Sequence, residues 1–375
     1  MKKMNLKKIK KHVWNLATLP VTDDPVISCY MTLENGQIKN SRTFERCLLP
    51  VKQALLAQKS QSMRDALTPI RSYLADELLP DAKGIAMFSR SGSKPFFLPL
   101  QFHVPLPYWA AVDSTPNIYH LVELKETYHR YIILVSSHET TRILEVNVGP
   151  VTKELWTKRP ERRKRIGQEW TKTCYQKHYM HGGRKYIREE IKILKRLISG
   201  SGKTHLILAG HPARTEVIKD KLPKCLLVKL VDLVPLPDIT EPSDVVRATI
   251  GCFVRAEEEA SEYTAELLFQ EIQDSGRAVV GLKDCLKTLK ENLVDILVLH
   301  KTYSPGKEWI CTDCGFNSFD NYIPRFCYNC NGHLIKNFKI KEEMVRLAEH
   351  IGAKIQLVRQ NDALNQLGGV GCILH

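Results

Sequence analysis

Four cysteines in two closely spaced pairs restrict the fold of this 375-residue chain more than any other sequence feature. They are Cys311, Cys314, Cys327 and Cys330, so each pair has the spacing C-x2-C, and twelve residues separate the pairs. Two such pairs, about 12–20 residues apart, can supply four thiolates to one tetrahedral metal ion. Because four protein ligands leave no open position, we expect a structural Zn²⁺ in a zinc ribbon at about residues 307–336. The alternatives are two local disulfides or free thiols.

The other seven cysteines are scattered singly, several inside apolar stretches such as VISCY and ATIGCFV. A reduced thiol in such a stretch behaves as a small hydrophobic group. This usage indicates a reducing compartment rather than a disulfide framework, so we expect a cytoplasmic protein. We also expect His300 and His333 to be surface residues, because the four paired cysteines already satisfy a metal ion.

The sequence contains no uninterrupted apolar run of the ~18 residues that a membrane-spanning helix needs. The N-terminal residues MKKMNLKKIKKHVWNLATLPV are basic and then mildly apolar, and Asn15 and Pro20 interrupt the apolar part. This pattern favours a basic helix or arm over a signal peptide, and polybasic membrane attachment would lack a second signal. We therefore expect no membrane partner.

Apolar runs of strand length alternate with stretches of helical apolar spacing, which predicts an α/β fold. HRYIILVSSHETTRILEVNVGPV predicts a hairpin, residues 184–198 a helix, and HLILAG and CLLVKLVDL two further strands. Prolines within residues 102–118 and 235–242 mark two boundaries. We predict three domains, residues 1–116, 117–233 and 234–375. The central and C-terminal domains are α/β with mixed sheets, and the zinc ribbon is inserted in the C-terminal domain.

Positive charge is concentrated in one stretch. The chain has a net charge of +14, and residues 151–200 alone carry 15 basic and five acidic residues, a net charge of +10. Lysine and arginine neutralise phosphates, and the interleaved tryptophans and tyrosines can stack on unpaired bases. The alternative is a solvated helix face with its aromatic residues in a core. The candidate RNA-binding residues are Arg162, Arg163, Lys164, Arg165, Lys172, Lys177, Lys185 and Arg188.

Within this stretch, Gly182 and Gly183 separate a basic, aromatic segment from the predicted helix. Two glycines allow a backbone to approach a ligand closely, but without further context a loop tip or a helix N-terminal turn is the favoured explanation. Residues 200–204, GSGKT, look like part of a phosphate-binding loop, but Leu197 occupies the position of its first glycine. A strand rather than a helix is predicted next, so we dismiss this motif.

The C-terminal third contains, in order, FQEIQDSGRAVVGLKDCLKTLKENLVDILVLHKTY, the cysteine cluster, and EEMVRLAEHIGAKIQLV followed by the final GGVGCILH. This series resembles the third domain of archaeal and eukaryotic class I release factors and Pelota. Upstream, the hairpin, basic Gly-Gly segment, helix and HLILAG follow the order of that family's second domain. VISCYMTLE, RTFERCLLP and KGIAMFS are similar to the first domain in the bacterial release-factor-like branch of the superfamily. The match is most specific in residues 265–375 and weakest in residues 1–118.

The resemblance implies that the first domain reaches the ribosomal decoding centre and that the third binds a translational GTPase. It implies that the second domain places a Gly-Gly-Gln loop in the peptidyl transferase centre, where Gly182, Gly183 and Arg184 correspond to that loop. Both glycines are present, but Arg184 replaces the glutamine and offers only donors. Residues 38–42, IKNSR, resemble the family's NIKS stop-codon loop in a shifted order, so we do not expect stop-codon reading.

Three functions follow as hypotheses. The first is a ribosome-binding translation factor that enters the A site, of the rescue or hibernation type, with a variant loop. The second is a peptidyl-tRNA hydrolase or release factor that uses the Gly182–Gly183 loop. The third is an RNA-binding or nuclease-like protein that acts off the ribosome. The expected partners are the ribosome, rRNA or tRNA and a translational GTPase, and we expect a monomer.

Overall fold

The computed structural model describes most of the chain. The described residues are 6–38, 42, 45–46, 48–49, 51–52, 61–128, 130–137, 140–147, 151–158, 172–199, 205–237, 241–274, 276–304, 307–311, 314, 317–319, 326–332, 335–359 and 361–375. They form a mixed α/β protein, as the sequence predicted. The described chain divides into two compact units: one contains Tyr128–Ala256, and the other contains Leu6–Thr127 with Glu257–His375.

The elements of the N-terminal segment are α1 (Leu6–Ala17), β1 (Val26–Thr32), α2 (Gln61–Asp76), β2 (Gly84–Arg90), β3 (Phe96–Phe102), β4 (Trp109–Asp113) and α3 (Tyr119–Thr127). Those of the central segment are β5 (Tyr131–Ser136), β6 (Thr140–Val146), β7 (Val151–Lys158), α4 (Lys172–Ser199), β8 (His205–Gly210), α5 (Pro212–Lys219), α6 (Lys224–Leu227) and β9 (Leu230–Pro235).

A long helix, α7 (Pro242–Asp274), leads into the C-terminal segment. That segment contains β10 (Ala278–Val280), α8 (Leu282–Lys290), β11 (Val294–His300), β12 (Lys307–Cys311), β13 (Asn317–Phe319), β14 (Ile335–Lys339), α9 (Ile340–Ile351), β15 (Lys354–Val358), α10 (Asp362–Gln366) and β16 (Val370–Leu374).

The N-terminal sheet has the strand order β3-β2-β1-β4, and each neighbouring pair is antiparallel. Alternate residues of β1 point to opposite faces, so Cys29 and Met31 pack on the side covered by α2, while Tyr30 points to the other. On that other face Tyr30 lies edge-on to His120 of α3 and donates a hydrogen bond to the carbonyl of Asn117 at 2.6 Å. Both faces of this sheet are therefore covered.

The central unit is a sheet with helices on both sides. Its strand order is β7-β6-β5-β8-β9. Strands β5, β8 and β9 are parallel to one another, and β6 is antiparallel to both of its neighbours, β5 and β7. Buried residues of α4, including Leu194, pack on one face of this sheet. Phe253 of α7 stacks on Tyr131 of β5 on the opposite face, with ring centroids 4.4 Å apart. HLILAG forms the strand β8, which is buried on both faces, and this explains why its apolar residues are continuous rather than alternating with polar ones.

The C-terminal segment contains a second mixed sheet, in the order β10-β16-β11-β15. β11 and β15 are parallel, and β16 is antiparallel to β10 and β11. Leu268 of α7 packs on this sheet together with Val298 and Val358. The strands β13-β12-β14 form a small antiparallel sheet, which is inserted between β11 and α9.

Two predictions about local structure are wrong. CLLVKLVDL is not one strand: residues 224–227 form the helical turn α6, and β9 begins at Leu230. A short apolar run of this kind does not distinguish a strand from a buried helical turn. His300 is not a surface residue but is 4% exposed, because its ring is enclosed by Thr302 and by Asn365 of α10. His333 lies outside the described residues.

Candidate metal centre and nucleic-acid interface

The four paired cysteines lie together at one end of the small three-stranded sheet. Cys311 is the last residue of β12 and pairs with Ile335 of β14. The second pair lies in a tight turn, in which the N–H groups of Cys327 and Asn331 donate to the carbonyls of Gly332 and Cys327, each at 2.9 Å. Asn331 adopts the left-handed conformation that this turn needs, with φ of 59°. The backbone thus brings two distant sequence pairs to one place.

The distances between the sulfur atoms fit a metal site and exclude disulfides. All four Sγ atoms lie within 4.8 Å of one another. Cys311 and Cys330 are 3.4 Å apart, and Cys314 and Cys327 are 3.6 Å apart. A disulfide has a sulfur–sulfur length of about 2.05 Å. A tetrahedral ion with metal–sulfur bonds of about 2.3 Å separates its ligands by roughly 3.8 Å. The four cysteines can therefore hold a metal ion.

The thiol cluster also has the electrostatics of a cation site. The backbone N–H of Gly332 by itself lowers the pKa of Cys330, but the neighbouring thiols outweigh it and raise that pKa. Sulfur atoms packed this closely repel one another as thiolates, so a cation is needed to hold all of them in the charged form. The N–H of Asn329 donates to Cys327 Sγ at 3.4 Å, which fixes one ligand from outside the cluster.

The predicted loop at Gly182, Gly183 and Arg184 is part of a helix. These residues lie inside α4, which begins at Lys172, twelve residues before the predicted start. Glycine destabilises a helix interior by only about 1 kcal/mol relative to alanine, and the buried face of α4 offsets this. That face carries Ile187, Leu194 and Ile198. The two glycines were therefore a misleading loop signal.

The structure describes only some of the candidate RNA-binding residues, and those that it describes lie on one helix. Arg162, Arg163, Lys164 and Arg165 lie outside the described residues. Lys172, Lys177 and Lys185 belong to α4. Arg188 is exposed on the same helix, and three exposed basic residues outside the predicted set follow it at helical spacing. They are Lys192, Lys195 and Arg196.

We call Arg188, Lys192, Lys195 and Arg196 the α4 basic face. It lies opposite the residues that pack on the central sheet, so its charges point to solvent. Spacings of four and three residues along the helix could have identified it from the sequence. A row of cations on a fixed helix can contact successive phosphates of a nucleic acid.

Comparison with known families gives one match. Residues 116–251 match the model of bacterial archaeo-eukaryotic release factor family 10. This segment contains the whole central sheet and the α4 basic face. Over these residues, the match agrees with the resemblance to the release-factor and Pelota superfamily, in its bacterial branch. No curated protein sequence matches the chain.

Several solved structures are similar to the chain at low identity. The archaeal translation termination factor aRF1 is 15% identical over 100% of this chain and 99% of its own, with a TM-score of 0.28. Pelota in a model of ribosome-bound archaeal Pelota and ABCE1 is 11% identical over 100% and 95%, with a TM-score of 0.44. The C-terminal domain of a peptide chain release factor from Methanosarcina mazei is 25% identical over 35% and 91%, with a TM-score of 0.30.

None of the helices in the described part of the chain combines the length and the apolar character that a bilayer-spanning segment requires.

Proposed function

We propose that this protein is a ribosome-binding translation factor of the release-factor and Pelota superfamily that enters the A site in a rescue or hibernation role. The single observation that carries the proposal is the coincidence of two features in one segment. The residues that match a release-factor family, 116–251, include the residues that hold most of the positive charge of the chain, 151–200. An rRNA or tRNA partner accounts for that charge.

Two observations favour binding without peptide hydrolysis. Arg184 stands where the superfamily's loop has glutamine, and its guanidinium has no acceptor with which to orient a water molecule. In addition, residues 182–184 lie in α4, where backbone N–H groups bond within the helix and are not presented to an oxyanion. A peptidyl-tRNA hydrolase that uses Gly182 and Gly183 remains the second candidate, because both glycines are retained.

The remaining parts of the proposal concern the metal ion and the surroundings of the protein. We assign Zn²⁺ to the four-cysteine site, because soft thiolate ligands in a closed tetrahedral set favour zinc, and its role there is structural. A translational GTPase as second partner, a cytoplasmic location, a monomer and the three-domain boundaries after residues 116 and 233 belong to the same proposal.

Co-sedimentation of the full chain with bacterial ribosomes tests this function. The wild-type protein should pellet with ribosomes, and Arg188→Glu/Lys192→Glu/Lys195→Glu should remain in the supernatant, because it reverses three charges on the α4 basic face. Lys283→Glu/Lys287→Glu/Lys290→Glu on the exposed side of α8 is the charge-matched control and should still pellet. A wild-type protein that binds isolated RNA but never pellets with ribosomes would instead support an RNA-binding protein acting off the ribosome.

A further inference from the structure

The N-terminal helix α1 presents lysines and a tryptophan on one exposed stripe. Lys7, Lys10 and Lys11 are exposed, and Trp14 is 53% exposed although it is the largest apolar side chain of the helix. These positions are three, four and seven residues apart, so they lie on the same side of α1. The helix contains no acidic residue. We call these four residues the α1 stripe.

The opposite side of α1 is already packed within its own unit. Ile9, Val13 and Leu16 are buried where α1 contacts α3 and α9. Arg346 of α9 also donates a hydrogen bond from Nη1 to the carbonyl of Ala17, at 3.3 Å, which holds the end of the helix. A helix that binds a lipid surface inserts its apolar face into the bilayer. The apolar face of α1 is occupied by protein, so a membrane is not the partner of this helix.

The chemistry of the α1 stripe fits a nucleic acid with unpaired bases. Lys7, Lys10 and Lys11 are exposed and form no ion pair with the described residues, so no described carboxylate competes with a phosphate for them. Exposed indole rings stack on bases, and lysines spaced along a helix can follow a phosphate backbone.

We propose that the α1 stripe is a second RNA contact surface, in which the lysines bind phosphates and Trp14 stacks on an unpaired base. The inference rests on the proposed function in taking RNA as the partner class. It concerns different residues, on a different unit, from the basic central segment.

Fluorescence anisotropy with a labelled single-stranded RNA of about 12 nucleotides, measured over a salt series, tests the inference on the full chain. Lys7→Ala/Lys10→Ala/Lys11→Ala should weaken binding by roughly 50-fold at ~0.15 M salt and reduce the slope of log K against log salt by about 2, since each lost phosphate contact removes about 0.7. Trp14→Leu should weaken binding by about fivefold or more with the slope unchanged, and should have no effect on duplex RNA.

The matched control is Lys283→Ala/Lys287→Ala/Lys290→Ala, which removes the same charge from exposed positions of α8 at similar helical spacing. Its affinity should stay close to that of the wild type. If both triple variants weaken binding equally, diffuse charge explains the effect and the inference is wrong. Loss of binding to phosphatidylcholine–phosphatidylserine vesicles in the α1 variants, with RNA binding intact, would also overturn it.

The same series separates this inference from the proposed function. If Arg188→Ala/Lys192→Ala/Lys195→Ala reduces RNA binding and the α1 variants do not, the α1 contact alone is refuted. If neither set of variants changes RNA binding, both proposals lose their RNA partner. Thermal unfolding of each variant shows whether a loss of affinity comes from a loss of folding. We expect every variant to unfold at a temperature close to that of the wild type, because every substituted side chain is exposed.

Discussion

A buried lysine joins the N-terminal and C-terminal segments within one unit, and its removal should be strongly destabilising. Lys125 of α3 pairs with Glu126 at 3.2 Å and with Glu349 of α9, and all three side chains are at most 17% exposed. Burial alone would lower the pKa of Lys125, but the two carboxylates outweigh burial and raise it. Lys125→Met would therefore leave two carboxylates in a poorly solvated place without their cation.

Removing one partner of a buried pair destabilises a protein by about 3–5 kcal/mol. With a urea dependence of about 2–3 kcal/mol per molar, the unfolding midpoint followed by far-UV circular dichroism should fall by about 1–2 M. Lys125→Met/Glu349→Leu should recover much of that loss, because it removes one of the stranded charges. Lys83→Met, at an exposed position, is the control and should change stability by less than about 0.5 kcal/mol. A midpoint for Lys125→Met equal to that of the wild type would refute the reasoning.

Three further predictions concern the metal site, a buried histidine and two glycines. Metal analysis of protein purified with zinc should find one ion per chain, and Cys314→Ser should lose it while Cys285→Ser retains it. Burial and the nearby Lys341 lower the pKa of His300, so the stability that the neutral ring contributes should be lost as pH falls below about 6.5. In urea unfolding at pH 5–7, His300→Gln should therefore lose less stability on acidification than the wild type. Gly210→Ala should destabilise by about 1–3 kcal/mol, because φ is 127° and a Cβ would meet the Ser136 carbonyl. Gly251→Ala, in open space on α7, should instead stabilise by up to about 1 kcal/mol.

Features that depend on nearby residues could be predicted from the sequence. The metal site follows from the spacing within and between two cysteine pairs, because short turns bring such ligands together. β8 follows from its run of apolar residues, which is typical of a strand covered on both faces. The start of α4 could not be predicted, because Gly182 and Gly183 are a strong local loop signal, whereas each glycine costs a helix interior only about 1 kcal/mol.

Features that depend on distant residues could not be predicted. The burial of His300 depends on Asn365, and the environment of Lys125 depends on Glu349, which lies 224 residues further along the chain. Neither partner carries a local sequence signal that points to the other. The exposed stripe on α1 belongs to the same class, because only the packing of α1 on α3 and α9 shows which of its faces is left for a partner.

Release of labelled peptide from ribosomes that hold peptidyl-tRNA and have an empty A site tests the central claim most directly. Our account predicts that the wild-type protein saturates these ribosomes and releases no peptide above background, because Arg184 replaces glutamine and residues 182–184 are helical. Rapid release that disappears in Gly183→Ala, a substitution that the helix tolerates, would contradict the account and make the protein a peptidyl-tRNA hydrolase.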